Sequence, residues 1–360
     1  MFAGPLTYLQ GPGALDALGT LLAPFGDRPL VVTDSYVREL LGDRVAGVLG
    51  RSGLSPLFRE LTGEITAGAA DDIASSARGA GIGVVVGIGG GKSLDAAKAV
   101  ALRLGLPVVT VPSVASNDSP TSGAIAMYDD AHRLVTVDKL PTNPHAVLVD
   151  TELVAAAPVA FLRSGIGDAV AKKFEAAACL AGSGVTALGT RPLRIGSAIA
   201  DVCYEVLREH GPAGLAACER NEVDDSLEAL VEAVVLLSGL GFENGGLSLA
   251  HSLTRGLMQA RGASRAMHGE HVAWATLVQL VAEQAPADQV ADLRSYLLAV
   301  GLPTELAGLG MDAPATDEIR AIARITMTAP HLANVRIPMT EAVVVEAILA
   351  VEALGAAAVA

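Results

Sequence analysis

Gly89, Gly90 and Gly91 stand in a row between the apolar run Val84–Ile88 and Lys92, and Ser93 then opens a helical pattern, LDAAKAVALRL. Residues without a Cβ let a phosphate come close to backbone N–H groups. The first turn of the following helix leaves its own N–H groups unpaired and carries the positive end of the helix dipole. Lys92 adds a full charge. Strand, triple glycine, lysine and helix in that order read as a pyrophosphate site, although a tight structural turn would use the same glycines. The run is neither a Walker A sequence nor the usual GxGxxG, which points to a less common nucleotide-binding family. Asp34 closes the short apolar stretch Leu30–Thr33. An acid there can accept hydrogen bonds from a ribose diol and repel a 2′-phosphate, which favours NAD over NADP; a solvated turn aspartate is the plainer alternative. The segment PSVASNDSPTS follows another apolar run, and its Ser113, Ser116 and Ser122 offer donors and acceptors that could wrap a nucleotide.

Asp168, His251 and His268 form a second constellation. One carboxylate and two imidazoles suit a divalent ion such as Zn²⁺ with a fourth position left open for catalysis. Spacing alone does not bring such distant residues together, and a histidine on an apolar helix is as simply a satisfied core residue. The HGEH run containing His268 and His271 is not the HExxH of a metalloprotease. His132 in a turn and His145 after Pro144 read as solvated, and His210 as the end of a helix before Gly211. His331, after Pro330, reads as a structural loop residue or one facing a cleft. Lys172 and Lys173 read as a solvated helix face.

The elements that must carry these residues fall into two textures. Short apolar runs, Leu30–Thr33, Ile82–Gly87, Pro107–Val111 and Ala146–Asp150, alternate with helical patterns, with Thr151 as an N-cap for the last. This βαβ series predicts a mostly parallel sheet. Ile125–Tyr128 and Leu134–Val137 flank a turn and predict a hairpin. From about Phe161 onward, 3.6-residue periodicity takes over and predicts helices. The expected architecture is an α/β nucleotide-binding domain over residues 1–160 and an all-helical domain over 161–360. A cleft between two such domains is a usual place for a small ligand. The net charge of −14 argues against nucleic acid and anionic membranes as partners. No apolar run reaches the ~20 residues of a membrane span, and no signal-peptide pattern opens the chain. Cys179, Cys203 and Cys218, odd in number and without CxxC spacing, read as reduced thiols of a cytoplasmic protein.

Taken in order, these blocks resemble the bacterial glycerol dehydrogenases of the metal-dependent (iron-containing) alcohol dehydrogenase superfamily, whose architecture dehydroquinate synthase shares. The resemblance runs from YLQGPGALDALG through GIGGGKSLDAAKAVA, VPSVASNDSPTS, NPHAVLVDTELVAAAP and GIGDAVAKKFEA to GLGFENGGLSLAHSL and MHGEHVAWATLVQLV. It implies NAD bound by the N-terminal domain and zinc held by the helical one. The implied metal ligands are Asp168, His251 and His268. The implied cofactor contacts are Asp34, Gly89, Gly90, Gly91, Lys92, Ser113, Ser116, Ser122 and Tyr128, with Asp118 beside the substrate hydroxyls. It also implies a homo-oligomer and oxidation of a small polyol such as glycerol. The chain departs from the family pattern at Asn117, Thr254, Arg255 and His271. Arg255 in particular would bring a cation near the substrate if it faced the cleft, which suits an anionic alcohol such as a glycerol phosphate or hydroxy acid. A dehydroquinate-synthase-like cyclase and a non-catalytic binding protein are the remaining alternatives.

Overall fold

The computed structural model describes residues 1–357. Its strands are β1 Thr7–Gly11, β2 Pro29–Thr33, β3 Leu57–Glu60, β4 Val84–Gly89, β5 Val108–Pro112, β6 Ala124–Tyr128, β7 Leu134–Lys139 and β8 Ala146–Asp150. Six of them form one parallel sheet in the order β1-β8-β5-β4-β2-β3, and β6 with β7 makes the predicted antiparallel hairpin. Every residue of β2, β4, β5 and β8 is buried, as a parallel sheet covered on both faces requires. The pleat sorts the side chains. Val31 and Val86 pack with Leu41 and Val45 on one face, while Leu30, Val32 and Val85 pack with Ala97 and Val100 on the other.

After β2 the chain crosses to β3 on one side, and after β4 it crosses to β5 on the other. The sheet therefore reverses its winding between β2 and β4, the position where open α/β sheets leave a crevice at the strand ends. Asp34 and the three glycines lie at those ends. β4 runs two residues further than its apolar run suggests, so Gly89 is its last residue, Gly90 caps the next helix, and Gly91 begins that helix, Gly91–Leu104.

From Thr151 on, the described residues contain helices and no strand. Asp150, rather than Thr151, caps the first of them. A third core gathers Ile166, Val234, Leu253 and Trp274 from four helical segments. His210 does not end a helix: the helix Arg194–Glu219 continues through Gly211 and Pro212. The stretch after Asp225 is interrupted by a π-helical turn, Ala233–Leu237, before the helix Ser238–Gly245. All three cysteines are buried and unpaired, and among the described residues no helix is long and apolar enough to cross a membrane.

Two helices matter most for position, Val159–Ala181 and His268–Ala282. A Cβ placed on Gly269 would lie 1.7 Å from the Ser164 carbonyl oxygen, and one on Gly167 would lie 2.2 Å from the Gly269 carbonyl oxygen. The two backbones thus touch, and each glycine is the chain neighbour of a site residue, Gly167 of Asp168 and Gly269 of His268. Alanine usually stabilises a helix interior relative to glycine by about 1 kcal/mol. At Gly269 the clash is with backbone, which cannot swing aside. We expect Gly269→Ala to destabilise the protein by about 3 kcal/mol, read as a lowered unfolding midpoint in denaturant; an unchanged or raised midpoint would show that the helices can separate without cost.

Candidate active site

Asp168, Lys172 and Glu175 succeed one another at helical spacings of four and three, so they share one face of their helix, and all three are buried. Glu175 Oε1 accepts from the backbone N–H groups of Ser248 (2.7 Å) and His251 (3.0 Å). It thereby satisfies free N–H groups at the start of the helix Leu249–Leu257, where a carboxylate also complements the dipole. Glu175 Oε2 accepts from His251 Nδ1 at 2.6 Å. A carboxylate can only accept, so Nδ1 carries the proton and Nε2 is the ring nitrogen turned to Asp168 Oδ1, 3.1 Å away. His268, the first residue of its helix, places Nε2 3.7 Å from the same oxygen, and the two imidazole centroids are 5.4 Å apart.

The structure therefore brings together the three residues whose spacing left the matter open. One ligand atom from each of Asp168, His251 and His268 lies within 4.8 Å of the others. Asp168 Oδ2 is buried with no hydrogen-bond partner. An orphaned buried carboxylate oxygen is costly unless something else binds it. Together with two imidazole nitrogens it makes a donor set suited to Zn²⁺ and neighbouring divalent ions. Charge points the same way: the Asp118, Asp168 and Glu175 carboxylates face one ammonium, Lys172. Ligation requires the imidazoles to be neutral, and in that state a divalent cation would balance the carboxylates.

Lys172 is not on a solvated face. Its side chain is 1% exposed, and Nζ lies 2.7 Å from Asp168 Oδ1, 3.0 Å from Asp118 Oδ2 and 3.1 Å from His251 Nε2. The helix is enclosed on that side, which a lysine pair in the sequence does not reveal. Lys173 does lie nearer the surface and pairs with Asp201. Burial alone would raise the Asp168 carboxyl, but the Lys172 ammonium and the two imidazoles outweigh it and hold it far below the usual carboxylate range. Burial raises Asp118, with Lys172 opposing. Burial disfavours charge on His251, yet the Glu175 carboxylate overcomes it and lifts the imidazole to about 9.

Asp118, His268, Gly91, Lys92, Ser122 and Tyr128 line one cavity of about 350 Å³, with Asp95, Asn117 and Phe242 among its other walls. His268 of the metal-type cluster and Gly91 of the glycine turn thus border the same space. Asp34, Gly89, Gly90, Ser113 and Ser116 are not in its wall. Asp34 Oδ1 caps the helix Ser35–Arg51 through the Val37 N–H, and Oδ2 accepts from Ser93 Oγ at 2.8 Å. Ser113 donates its N–H to the Gly89 carbonyl, and the Ser116 carbonyl lies 3.5 Å from Ser164 Oγ. Lys92 pairs with Glu64 at 2.9 Å rather than standing free. Tyr128 stacks on His132 with centroids 4.9 Å apart, and His132 Nδ1 reaches Glu64 at 3.1 Å, while the histidine itself stays exposed as expected. His145 is half-buried edge-on to Phe25. His271 is structural: its Nε2 donates to the Ala263 carbonyl at 2.7 Å.

Arg255 does not enter the Asp118 cavity. It lines, with Thr254, a separate recess of about 90 Å³ and reaches the Thr328 carbonyl. Thr254 Oγ1 donates to the His251 carbonyl within its own helix. The cation beside Asp118 is Lys172 instead. A more open recess of about 860 Å³, lined by Arg261 and Arg265 among others, holds none of the three ligand residues.

Glu175 and Lys172 were missed as site residues, although their phase with Asp168 was available. Asp95 and Lys98 were missed too. Lys98 is buried and donates to the carbonyls of Ser119 (3.0 Å), Ser122 (3.3 Å) and Ala124 (2.6 Å), while Asp95 accepts from Ser119 Oγ and the Ala126 N–H. An Asp–Lys pair three residues apart in the Ala-rich middle of that helix was the available signal.

The family described as iron-containing alcohol dehydrogenase matches residues 5–151. The chain is 37% identical over 356 residues to a glycolaldehyde reductase of Halobacterium salinarum, covering 99% of this chain and 98% of that one. It is 39% identical over 319 residues to a glycerol dehydrogenase of Escherichia coli, covering 89% and 87%. A solved structure of a probable glycerol dehydrogenase from Sinorhizobium meliloti superposes with a TM-score of 0.93 at 34% identity, covering 99% of both chains. Sequence, fold and site geometry agree: this chain is an enzyme of the iron-containing alcohol dehydrogenase family and belongs with its glycerol dehydrogenases.

Proposed function

We propose that the protein is an NAD-dependent, zinc-dependent dehydrogenase that oxidises a small polyol, such as glycerol to dihydroxyacetone, and runs reversibly. One observation carries this reading. Asp168, His251 and His268 converge, and His268 shares a cavity wall with Asp118 and with Gly91 and Lys92 of the glycine turn. When bound, the divalent ion supplies a Lewis acid for the alcohol oxygen, and the dinucleotide supplies the hydride acceptor.

The chain's own residues do the rest. Asp168, His251 and His268 would hold the ion, with Glu175 fixing the tautomer and orientation of His251. The first turn of the helix Gly91–Leu104 has no side-chain cap, so its N–H groups are available to a pyrophosphate. Lys92 would add charge there once it leaves Glu64. Asp34 would face the ribose diol, and Ser113, Ser116, Ser122 and Tyr128 would flank the cofactor. Asp118, anchored by Lys172, would orient a second substrate hydroxyl. Alignment of substrate and cofactor, rather than a covalent nucleophile, is then the protein's main contribution.

A second reading is reduction of a small hydroxyaldehyde, favoured by the near-complete match to a glycolaldehyde reductase. A third, an anionic alcohol, loses the support of Arg255, which lines another recess, and Lys172 is already paired with Asp118 and Asp168. The domain division at residues 160 and 161, a homo-oligomeric state and a cytoplasmic location belong to the same proposal.

A panel of small alcohols and hydroxyaldehydes, followed at 340 nm with zinc-loaded protein, should give its highest kcat/KM with glycerol or another vicinal diol. Higher efficiency on a glycerol phosphate or hydroxy acid would move the assignment to anionic alcohols, and no net NADH with any alcohol would sink it. NAD should be used at least tenfold more efficiently than NADP because of Asp34; equal use would refute that role. His251→Ala and His268→Ala should each lose zinc and activity while binding NADH normally by fluorescence titration. Glu175→Gln should weaken zinc by about 10–100-fold, measured by chelator competition; undiminished affinity would show that the tautomer is fixed otherwise.

A further inference from the structure

His251 has one ring nitrogen left to offer. Nδ1 is committed to Glu175 at 2.6 Å, so only Nε2 can ligate a cation. Lys172 Nζ already stands 3.1 Å from that nitrogen and 2.7 Å from Asp168 Oδ1. A divalent ion held by Asp168, His251 and His268 would draw on the same two residues: it would need His251 Nε2, which Lys172 now faces, and it would share the Asp168 carboxylate, whose Oδ2 is free while Lys172 holds Oδ1. It would also meet a buried positive charge within a few ångströms, where screening by solvent is weak. The ammonium cannot drift off to water, because its side chain is 1% exposed. It has one further partner, Asp118 Oδ2 at 3.0 Å, towards the substrate side of the cavity.

We propose that Lys172 is an internal cation that competes with the divalent ion for Asp168 and His251. In the metal-free protein it keeps the buried carboxylates compensated and the ligands gathered. When the ion enters, Lys172 yields His251 Nε2 and keeps Asp118. The two cations are alternatives for one set of donors, so the centre gives up some metal affinity and gains a folded, preorganised metal-free state. This rests on the metal-centre reading above and goes beyond it, by assigning a role to a residue that is not itself a ligand.

The test is zinc affinity, not turnover. Full-length wild type, Lys172→Met, Lys172→Gln and Lys172→Arg are titrated with Zn²⁺ against a chromogenic chelator at one fixed pH. Removing the charge in the Met and Gln variants should tighten zinc about tenfold or more, the scale on which groups beside a metal ligand act. The Arg variant, which keeps the charge, should bind no more tightly than wild type. A neutral variant that unfolds without zinc but folds with it would support the proposal, because the ion then replaces the missing ammonium. Neutral variants that bind zinc no more tightly than wild type, or that zinc does not rescue, would overturn it. No zinc binding by wild type or any variant would instead remove the metal-centre reading on which it stands.

Discussion

A carboxylate with no exposed surface is the constraint from which the rest follows. Asp168 is fully buried, and an ionised group in that position costs several kcal/mol unless cations and donors surround it. Lys172 comes from the same helix, but His251 and His268 must come from two others. Those helices have to approach until imidazoles and carboxylate meet, and Gly167 and Gly269 remove the side chains that would keep the backbones apart. Compensation of one buried charge and close packing of the helical core are therefore the same structural problem. Glu175 extends the solution, since one carboxylate satisfies the free N–H groups of the His251 helix and fixes the His251 ring.

The glycine-turn side is held to this centre by a different kind of contact. Lys98 and Asp95 draw the backbone of residues 119–126 onto the helix that follows the triple glycine. Thr121 Oγ1 then donates to the Val235 carbonyl at 2.9 Å, and the Gly123 N–H donates to Glu243 Oε1 at 2.7 Å. Asp118 stands directly before this anchored stretch, and Thr121 donates to its carbonyl through both N–H (3.3 Å) and Oγ1 (3.2 Å). Its place is thus set by the fixed backbone that follows it.

Much of this was legible in the residues themselves. Short apolar runs alternating with helical patterns announced a parallel sheet, and the fading of strand signals near Phe161 placed the helical half. The glycine turn could be read as the junction of a strand and a helix, because three residues without a Cβ interrupt an apolar run just before a helical pattern. Convergence of Asp168, His251 and His268 could not be read from spacing, because it depends on how three helices cross. Lys172 was misread for the same reason: a local pattern does not show which face of a helix a distant segment will cover. Arg255 carried a conspicuous charge in a suggestive place, yet its helix turns it away from Asp118, and only the fold could decide between it and Lys172.

The π-helical turn Ala233–Leu237 adds a constraint of another sort. Val235, within it, holds the Thr121 hydroxyl, and Ala233 lies 3.3 Å from Cys203 Sγ through its carbonyl. A π turn contains one residue more than the α turn it interrupts. Deleting that residue would restore the regular ladder and rotate the segment beyond it by about 100°. Phe242 and Glu243 would then swing off the cavity wall and away from Gly123. Descendants of this sequence can therefore exchange side chains between 233 and 237 more freely than they can change how many residues stand there.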